Sequence, residues 1–359
     1  LLSQRLRVAS VPAHYLTSIN TFLICGTVLQ TARVQHLGSE MAKVTKNLSQ
    51  LSIEAKEQFL DSFDMVQTDC DGVLWMLKDP YEGVAESIKE LRNNGKKLVF
   101  VSNNSVRTMD DYRAKLEKVT DYTVEEEDIV HPAKVVIAYL KERGFDSLCY
   151  VIGSKHFKKC LRDAGIQVLD GPNEPVNESV AEIVPVIADK KPVGAVIVDF
   201  DYNCNNIKLL RAQLYLQHRD CWFIAGAMDK VLPVGPKMRL LGPGYYVEML
   251  QDITDMKPIV LGKPGLAMSK VLKRKYAIEN PQRVLFIGDQ PEMDVKFGGI
   301  SNFQTLLVGT GGVQEGDLQK YVSLNDPYLV PDYYIGAFAD LAQIVRDVAV
   351  YKTTKANKL

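Results

Sequence analysis

Little in this chain is out of balance, and each shortage removes a class of protein. Basic and acidic residues nearly cancel, 43 against 44, for a net charge of −1. That argues against a surface built to hold nucleic acid. Cysteine is sparse, six residues at 25, 70, 149, 160, 204 and 221, with no CxxC pair and no Cys/His cluster. The spacing argues against a zinc site and for a reducing compartment, the cytoplasm. There is no internal repeat and no low-complexity tract. Long apolar runs are missing too. Residues 16–29 are fairly apolar but carry Thr17, Ser18, Asn20 and Thr21, too short and too polar a stretch to span a bilayer. Acid is scarce in residues 1–40, where Arg5, Arg7 and Arg33 face Glu40 alone. This extension reads as a mitochondrial transit segment, a weak signal peptide, or an addition with no structural role ahead of Met41. These readings stay open, and the fold is argued from residue 41 onward.

What is present is an ordinary folded composition, 46% hydrophobic and 24% charged over 359 residues, enough for one large domain or two ordinary ones. Strands and helices alternate. A helix is expected over 47–60, a strand at 63–68, a helix from Val84 through Leu91 to Asn94-Gly95, and the buried-type strand Lys97-Leu98-Val99-Phe100-Val101. A helix over 109–119, a short strand at Ile129-Val130 and a helix over 133–141 follow. A second αβ set has strands at 148–152, 194–200 and 222–225 and helices over 155–164 and 207–217. Residues 171–192 and the Pro/Gly-rich 232–244 read as loops. Late strands are expected at Ile259-Val260, 283–287 and 304–308, and a closing helix over 338–348. Such alternation predicts a parallel sheet, with ligands outside the carboxyl ends of its strands.

The chemistry collects at those ends. Asp69 and Asp71 leave the first strong strand one residue apart, and in strand register i and i+2 share a side. Two carboxylates facing one pocket need a cation, and oxygen-only ligands suit Mg²⁺. Alone, this DxD is an acidic loop. Three more strand ends change that: Ser102-Asn103-Asn104-Ser105, Lys263 in Gly262-Lys263-Pro264, and Asp289 with Asp294. The set fits phosphoryl transfer. One carboxylate attacks, a second moves a proton, hydroxyl, amide and ammonium donors hold the phosphoryl oxygens, and a remote carboxylate completes the metal site.

These motifs resemble those of the haloacid dehalogenase-like phosphatases, over about residue 60 to the C-terminus. Asp69-Cys70-Asp71-Gly72-Val73-Leu74-Trp75 looks like the first motif and Val101-Ser102-Asn103-Asn104-Ser105 like the second. Gly262-Lys263-Pro264 matches the third, and Gly288-Asp289 with Asp294 the fourth. Gly-Val-Leu-Trp after the DxD points to the 4-nitrophenylphosphatase-like branch, which includes phosphoglycolate and pyridoxal phosphate phosphatases. The resemblance implies a Rossmann-like α/β core with parallel sheet and an inserted α/β cap. The core is then 41–146 and 256–350, the cap 147–255, and the tail 351–359. It implies Mg²⁺-dependent hydrolysis of small phosphomonoesters through an aspartyl-phosphate, with Asp69 as nucleophile and Asp71 as general acid/base. Ser102, Asn103, Asn104 and Lys263 hold substrate. Asp69, the Asp71 main-chain carbonyl and Asp289 hold Mg²⁺, and Asp294 supports them. It further implies dimerisation through the cap, and no nucleic-acid or membrane partner. The alternative is a non-catalytic, regulatory protein of the same fold. The chain departs from the family pattern at three places, with Gly226-Ala227 for Thr-Asn, Gly242-Pro243-Gly244 for Gly-Thr-Gly, and Met293 for the Thr before the last Asp. The lost hydroxyls and amide bear on pocket geometry and substrate choice.

Overall fold

Stretches such as Val284-Leu285-Phe286-Ile287-Gly288 are apolar at every position, the pattern of a strand covered on both faces. The computed structural model describes residues 43–233 and 238–357, so the extension over 1–40 lies outside the described residues. In chain order come β1 (Lys46–Asn47), β2 (Met65–Thr68), a small hairpin of β3 (Trp75–Met76) and β4 (Asp79–Pro80), β5 (Lys97–Val101) and β6 (Ile129–Val130). A second group follows, β7 (Leu148–Ile152), β8 (Val168–Leu169), β9 (Val193–Val198), β10 (Trp222–Ala225), the hairpin of β11 (Val231–Pro233) and β12 (Arg239–Leu241), and β13 (Ile259–Val260). The chain then returns through β14 (Val284–Gly288), β15 (Gln304–Val308) and β16 (Tyr333–Ile335).

Among the described residues the larger sheet has the order β1-β16-β15-β14-β2-β5-β6, and its pairings are parallel. The fold class expected from the sequence is thus present. The chain winds outward from β2 through β5 to β6, then reappears on the other side of β2 as β14. The strand order therefore reverses between β2 and β14, where open α/β sheets leave a crevice at their carboxyl ends. Pleating sends Leu98, Phe100, Leu285 and Ile287 into one apolar cluster and Val99, Val101, Val284 and Phe286 into another.

The second sheet has the order β13-β10-β9-β7-β8. One of its faces carries Tyr150, Ile152, Val196, Val198 and Phe223 in a cluster of their own. Its other face supplies Cys149, Val151, Ala195, Ile197 and Ile224 to the cluster that already holds Val99 and Phe286. One apolar cluster therefore spans both sheets, bridged by the helices Pro132–Glu142 and Leu266–Lys275 through Val136, Leu140, Met268 and Leu272.

Several elements differ from the sequence reading. The helix expected over 47–60 runs Ile53–Asp61, after β1 and a short 3-10 turn over Leu48–Gln50. Residues 180–187 form a helix, Val180–Ile187, inside the stretch read as a loop. Its half-buried Ile183, Val186 and Ile187 lie at helical spacing, a signal masked by the surrounding prolines and acids. Val231–Pro233 and Arg239–Leu241, inside the stretch read as a loop, pair as the antiparallel strands β11 and β12. The closing helix runs Leu341–Ala356, so most of the expected tail is helical. Ile259–Val260 pairs with β10 of the second sheet.

At the seam between the sheets, Gly226 follows β10. A Cβ there would stand 2.0 Å from Asp199 Oδ2, so residue 226 is closed to any larger side chain unless Asp199 moves. Gly226→Thr is therefore expected to lower stability by about 1–3 kcal/mol through overpacking, read as a reduced urea midpoint at unchanged m-value. An unchanged midpoint would show that the seam yields without cost.

Candidate active site

Each strand end delivers one piece of the site. Asp69 follows β2, and its backbone N–H donates to Ile287 O at 2.8 Å, which locks its register to β14. Asp289 follows β14 directly. Lys263 follows β13, and its buried ammonium lies 2.8 Å from Asp69 Oδ1 and 2.7 Å from Asp294 Oδ1. The structure thus brings Asp69, Lys263, Asp289 and Asp294 together across the crevice. Burial alone would lower the Lys263 pKa, but the carboxylates of Asp294 and Asp69 outweigh it and hold the ammonium above its ordinary range. Burial pushes Asp69 upward despite Lys263, and Asp294 adds to the rise.

Asp294 sits in the helical turn Pro291–Val295 and spends its other oxygen on the chain. Oδ2 accepts from the backbone N–H groups of Asp289 and Gln290, at 3.1 and 3.0 Å. It therefore shapes the loop that carries Asp289. Asp289 is different. Both its carboxylate oxygens are buried and have no hydrogen-bond partner, and burial raises its pKa well above the usual range, with Asp294 and Asp69 adding to the effect. Gly72 and Gly311 press against it, with a Cβ at either standing 2.3 or 2.0 Å from Oδ2, and Gly72 also has φ +89°. Asp69, Asp289 and Asp294 offer oxygens within 4.8 Å of one another. A buried carboxylate with no protein donor, beside a second one, is the electrostatic fit for a hard divalent cation.

Ser102 ends β5. Its hydroxyl oxygen accepts from Tyr112 O–H at 2.8 Å and from Asn104 N–H at 3.1 Å. Asn103 is fully engaged. Its amide donates to Asp229 Oδ2 at 2.7 Å and to Lys263 O at 3.1 Å, while its carbonyl oxygen accepts from Lys263 N–H at 2.8 Å. It brackets the Lys263 backbone rather than presenting a free amide. Asn104 reaches Asp71 Oδ2 at 3.5 Å. Asp71 itself is held by the Trp75 indole N–H at 2.8 Å and by a two-bond fork from Arg107, at 3.0 and 3.1 Å.

All of these side chains except Asp289, Trp75 and Tyr112 line one cavity of about 160 Å³, together with Phe200, Tyr202, Val231, Leu232 and Met293. That is below the roughly 300–1,000 Å³ of drug-sized ligand sites, so the enclosed space suits a small substrate. Gly226 and Ala227 do not line it; Asp229, two residues on, does. Gly242 and Gly244 pack on the main-chain carbonyls of Asp229 and Met228, so that departure from the family pattern acts on the backbone holding Asp229. Arg107, Tyr112, Trp75 and Asp229 were not singled out from the sequence as site residues. Arg107 stands two positions past Ser105, and Trp75 within the first motif; a search for donors near each strand end would have found both.

A haloacid dehalogenase-like hydrolase model matches residues 66–167, and a second, HAD-hydrolase-like, matches 260–340. Phosphoglycolate phosphatase 2 of Arabidopsis thaliana is 31% identical over 298 residues, covering 82% of this chain and 97% of its own. The chain belongs to the haloacid dehalogenase-like hydrolases. It is a phosphoric monoester hydrolase of the 4-nitrophenylphosphatase-like branch. The 4-nitrophenylphosphatase of Schizosaccharomyces pombe is likewise 31% identical, over 80% of this chain and 96% of its own. Among solved structures, the p-nitrophenyl phosphatase from Archaeoglobus fulgidus shares the fold, with TM-score 0.66, 23% identity, and coverage of 79% of this chain and 99% of that one. Among the described residues no helix is long and apolar enough to cross a membrane.

The unpartnered Asp289 gives a test. Its pKa is raised in the folded state, so ionising it costs stability from about pH 4, its unfolded value, upward to the folded pKa. In metal-free buffer Asp289→Asn is expected to gain on the parent as pH rises above about 4, with the smallest gain at low pH. Mg²⁺ should raise the parent's Tm and have little effect on the variant's. Thermal melts at several pH values read both effects, and a constant difference across pH would mean that Asp289 is not strained by its charge.

Proposed function

We propose that the protein is a Mg²⁺-dependent phosphatase of small phosphomonoesters acting through an aspartyl-phosphate. The observation that carries this reading is Asp69, lining a small cavity and held by Lys263, beside the partnerless Asp289. Asp69 Oδ attacks phosphorus and the bond from phosphorus to the leaving oxygen breaks, while Asp71 gives that oxygen a proton. Asp71 then takes a proton from water. The water oxygen attacks phosphorus, the bond from phosphorus to Asp69 breaks, and phosphate leaves. Ser102, Asn104 and Lys263 hold the phosphoryl oxygens, and Asn103 positions Lys263. Asp69, the Asp71 main-chain carbonyl and Asp289 would hold Mg²⁺, with Asp294 fixing the Asp289 loop. When bound, the cation neutralises charge on the phosphoryl oxygens and on Asp69.

The insert over residues 147–255, which supplies all the strands of the second sheet except β13, serves as the cap. Phe200, Tyr202, Asp229, Val231 and Leu232 come from it and line the cavity, so choice among phosphomonoesters rests there. Met238, Leu241, Tyr245, Met249 and Ile253 are exposed on its hairpin and on the helix Gly244–Thr254, a face that supports a homodimer through the cap. The scattered cysteines support a cytoplasmic protein.

Turnover of 4-nitrophenyl phosphate is the direct assay. Asp69→Asn should lower kcat by on the order of a thousandfold or more with the fold retained by circular dichroism. EDTA should abolish the parent's activity and added Mg²⁺ restore it. Full activity in metal-free buffer, or in the variant, would sink the assignment.

A further inference from the structure

The Tyr112 phenol lies behind Ser102 and is not among the residues that line the cavity. Thr108 caps the helix Met109–Thr120 in a capping box with Asp111, and this fixed first turn delivers Tyr112 to the loop after β5. The side chain is fully buried, with its ring stacked on His131 at 6.3 Å between centres. Its oxygen lies 2.8 Å from Ser102 Oγ and 3.0 Å from the Asn104 carbonyl oxygen. A phenol has one proton and cannot donate fully to both. Burial pushes its pKa well above the ordinary range, so that proton stays on the phenol oxygen. Ser102 also has one proton, and two lone-pair sites, one of which accepts from the Asn104 N–H at 3.1 Å. Two proton arrangements follow. In the first, Tyr112 donates to Asn104 O and Ser102 donates to Tyr112, which leaves a serine lone pair, not a proton, for the cavity. In the second, Tyr112 donates to Ser102 Oγ, both serine acceptor sites are filled, and the serine proton is left for the cavity.

We propose that Tyr112 is a positioning residue for phosphoryl binding, its phenol filling the Ser102 oxygen so that the single Ser102 proton is committed to the phosphoryl group. This rests on the phosphatase reading above and deepens it. A phosphoryl oxyanion repels a lone pair and accepts a proton, so its arrival selects the second arrangement. No side chain has to move; two hydroxyl protons turn. Donors in a chain polarise one another, so Ser102 holds the phosphoryl oxygen more tightly with the phenol behind it than without. Tyr112 acts only through Ser102.

The test is a double-mutant cycle on the full chain with Mg²⁺. The parent, Tyr112→Phe, Ser102→Ala and the double variant are compared by kcat/KM for 4-nitrophenyl phosphate and by the Kd of inorganic phosphate from calorimetry. In the parent background Tyr112→Phe should lower kcat/KM and weaken phosphate about 3–30-fold, part of the worth of a hydrogen bond to a charged group. In the Ser102→Ala background the same change should alter neither by more than about twofold. A residue that only packs would give equal losses in both backgrounds. Equal losses, or no loss in the parent background, overturn this proposal and leave the phosphatase reading standing. Should Tyr112→Phe not fold, Tyr112→3-fluorotyrosine nearly keeps the shape and strengthens the donor. It should tighten phosphate, and unchanged or weaker binding overturns the proposal. A parent that does not turn over the ester overturns both.

Discussion

The site depends on one buried ammonium. Lys263 lies between Asp69 and Asp294 at hydrogen-bond distance from each, and those three residues arrive from three separate segments. Without the cation, the crevice between β2 and β14 would hold three buried carboxylates and no counter-charge. Leaving one member of such a buried set unpaired costs about 3–5 kcal/mol. The pairing is therefore structural as much as chemical. It holds the chain after β13 against the ends of β2 and β14, and it sets where Asp69 can point.

Asn103 makes the same join from the other side. Its amide contacts Asp229 and both backbone polar groups of Lys263, so one short polar side chain ties the loop after β5 to the second sheet and to the lysine. Asp199 adds a second tie, accepting from the Ser105 hydroxyl. Both acids are buried and pushed above the usual carboxylate range by that burial. The floor and the roof of the cavity thus share hydrogen bonds before any substrate arrives.

Much of this was legible in the sequence, for identifiable reasons. Strands covered on both faces, such as Lys97–Val101 and Val284–Gly288, announce themselves by apolar runs, and their ends then locate Ser102 and Asp289. Lys263 followed a strand too short to stand alone, and the Gly-Lys-Pro sequence pointed to it. What stayed hidden was of two kinds. The helix Val180–Ile187 and the β11–β12 hairpin lie where proline and glycine outweigh a weak apolar period. The engagement of Asn103 and the Arg107 fork on Asp71 are matters of side-chain direction, which no residue spacing specifies.

The apolar cluster that runs through both sheets has a consequence for how such enzymes diverge. Ile197 and Ile224 of the second sheet belong to the same cluster as Val99 and Phe286 of the first, with the helices Pro132–Glu142 and Leu266–Lys275 between them. A roof joined this way is not an interchangeable module. Recombination that carried a foreign insert onto this core at the chain boundaries alone would mismatch the buried faces of those two helices, and packed interiors register even a single methylene. Changing side chains on the cavity wall leaves those buried faces matched, whereas an exchange that replaced residues 147–255 and kept them matched would have to carry the two bridging helices with it.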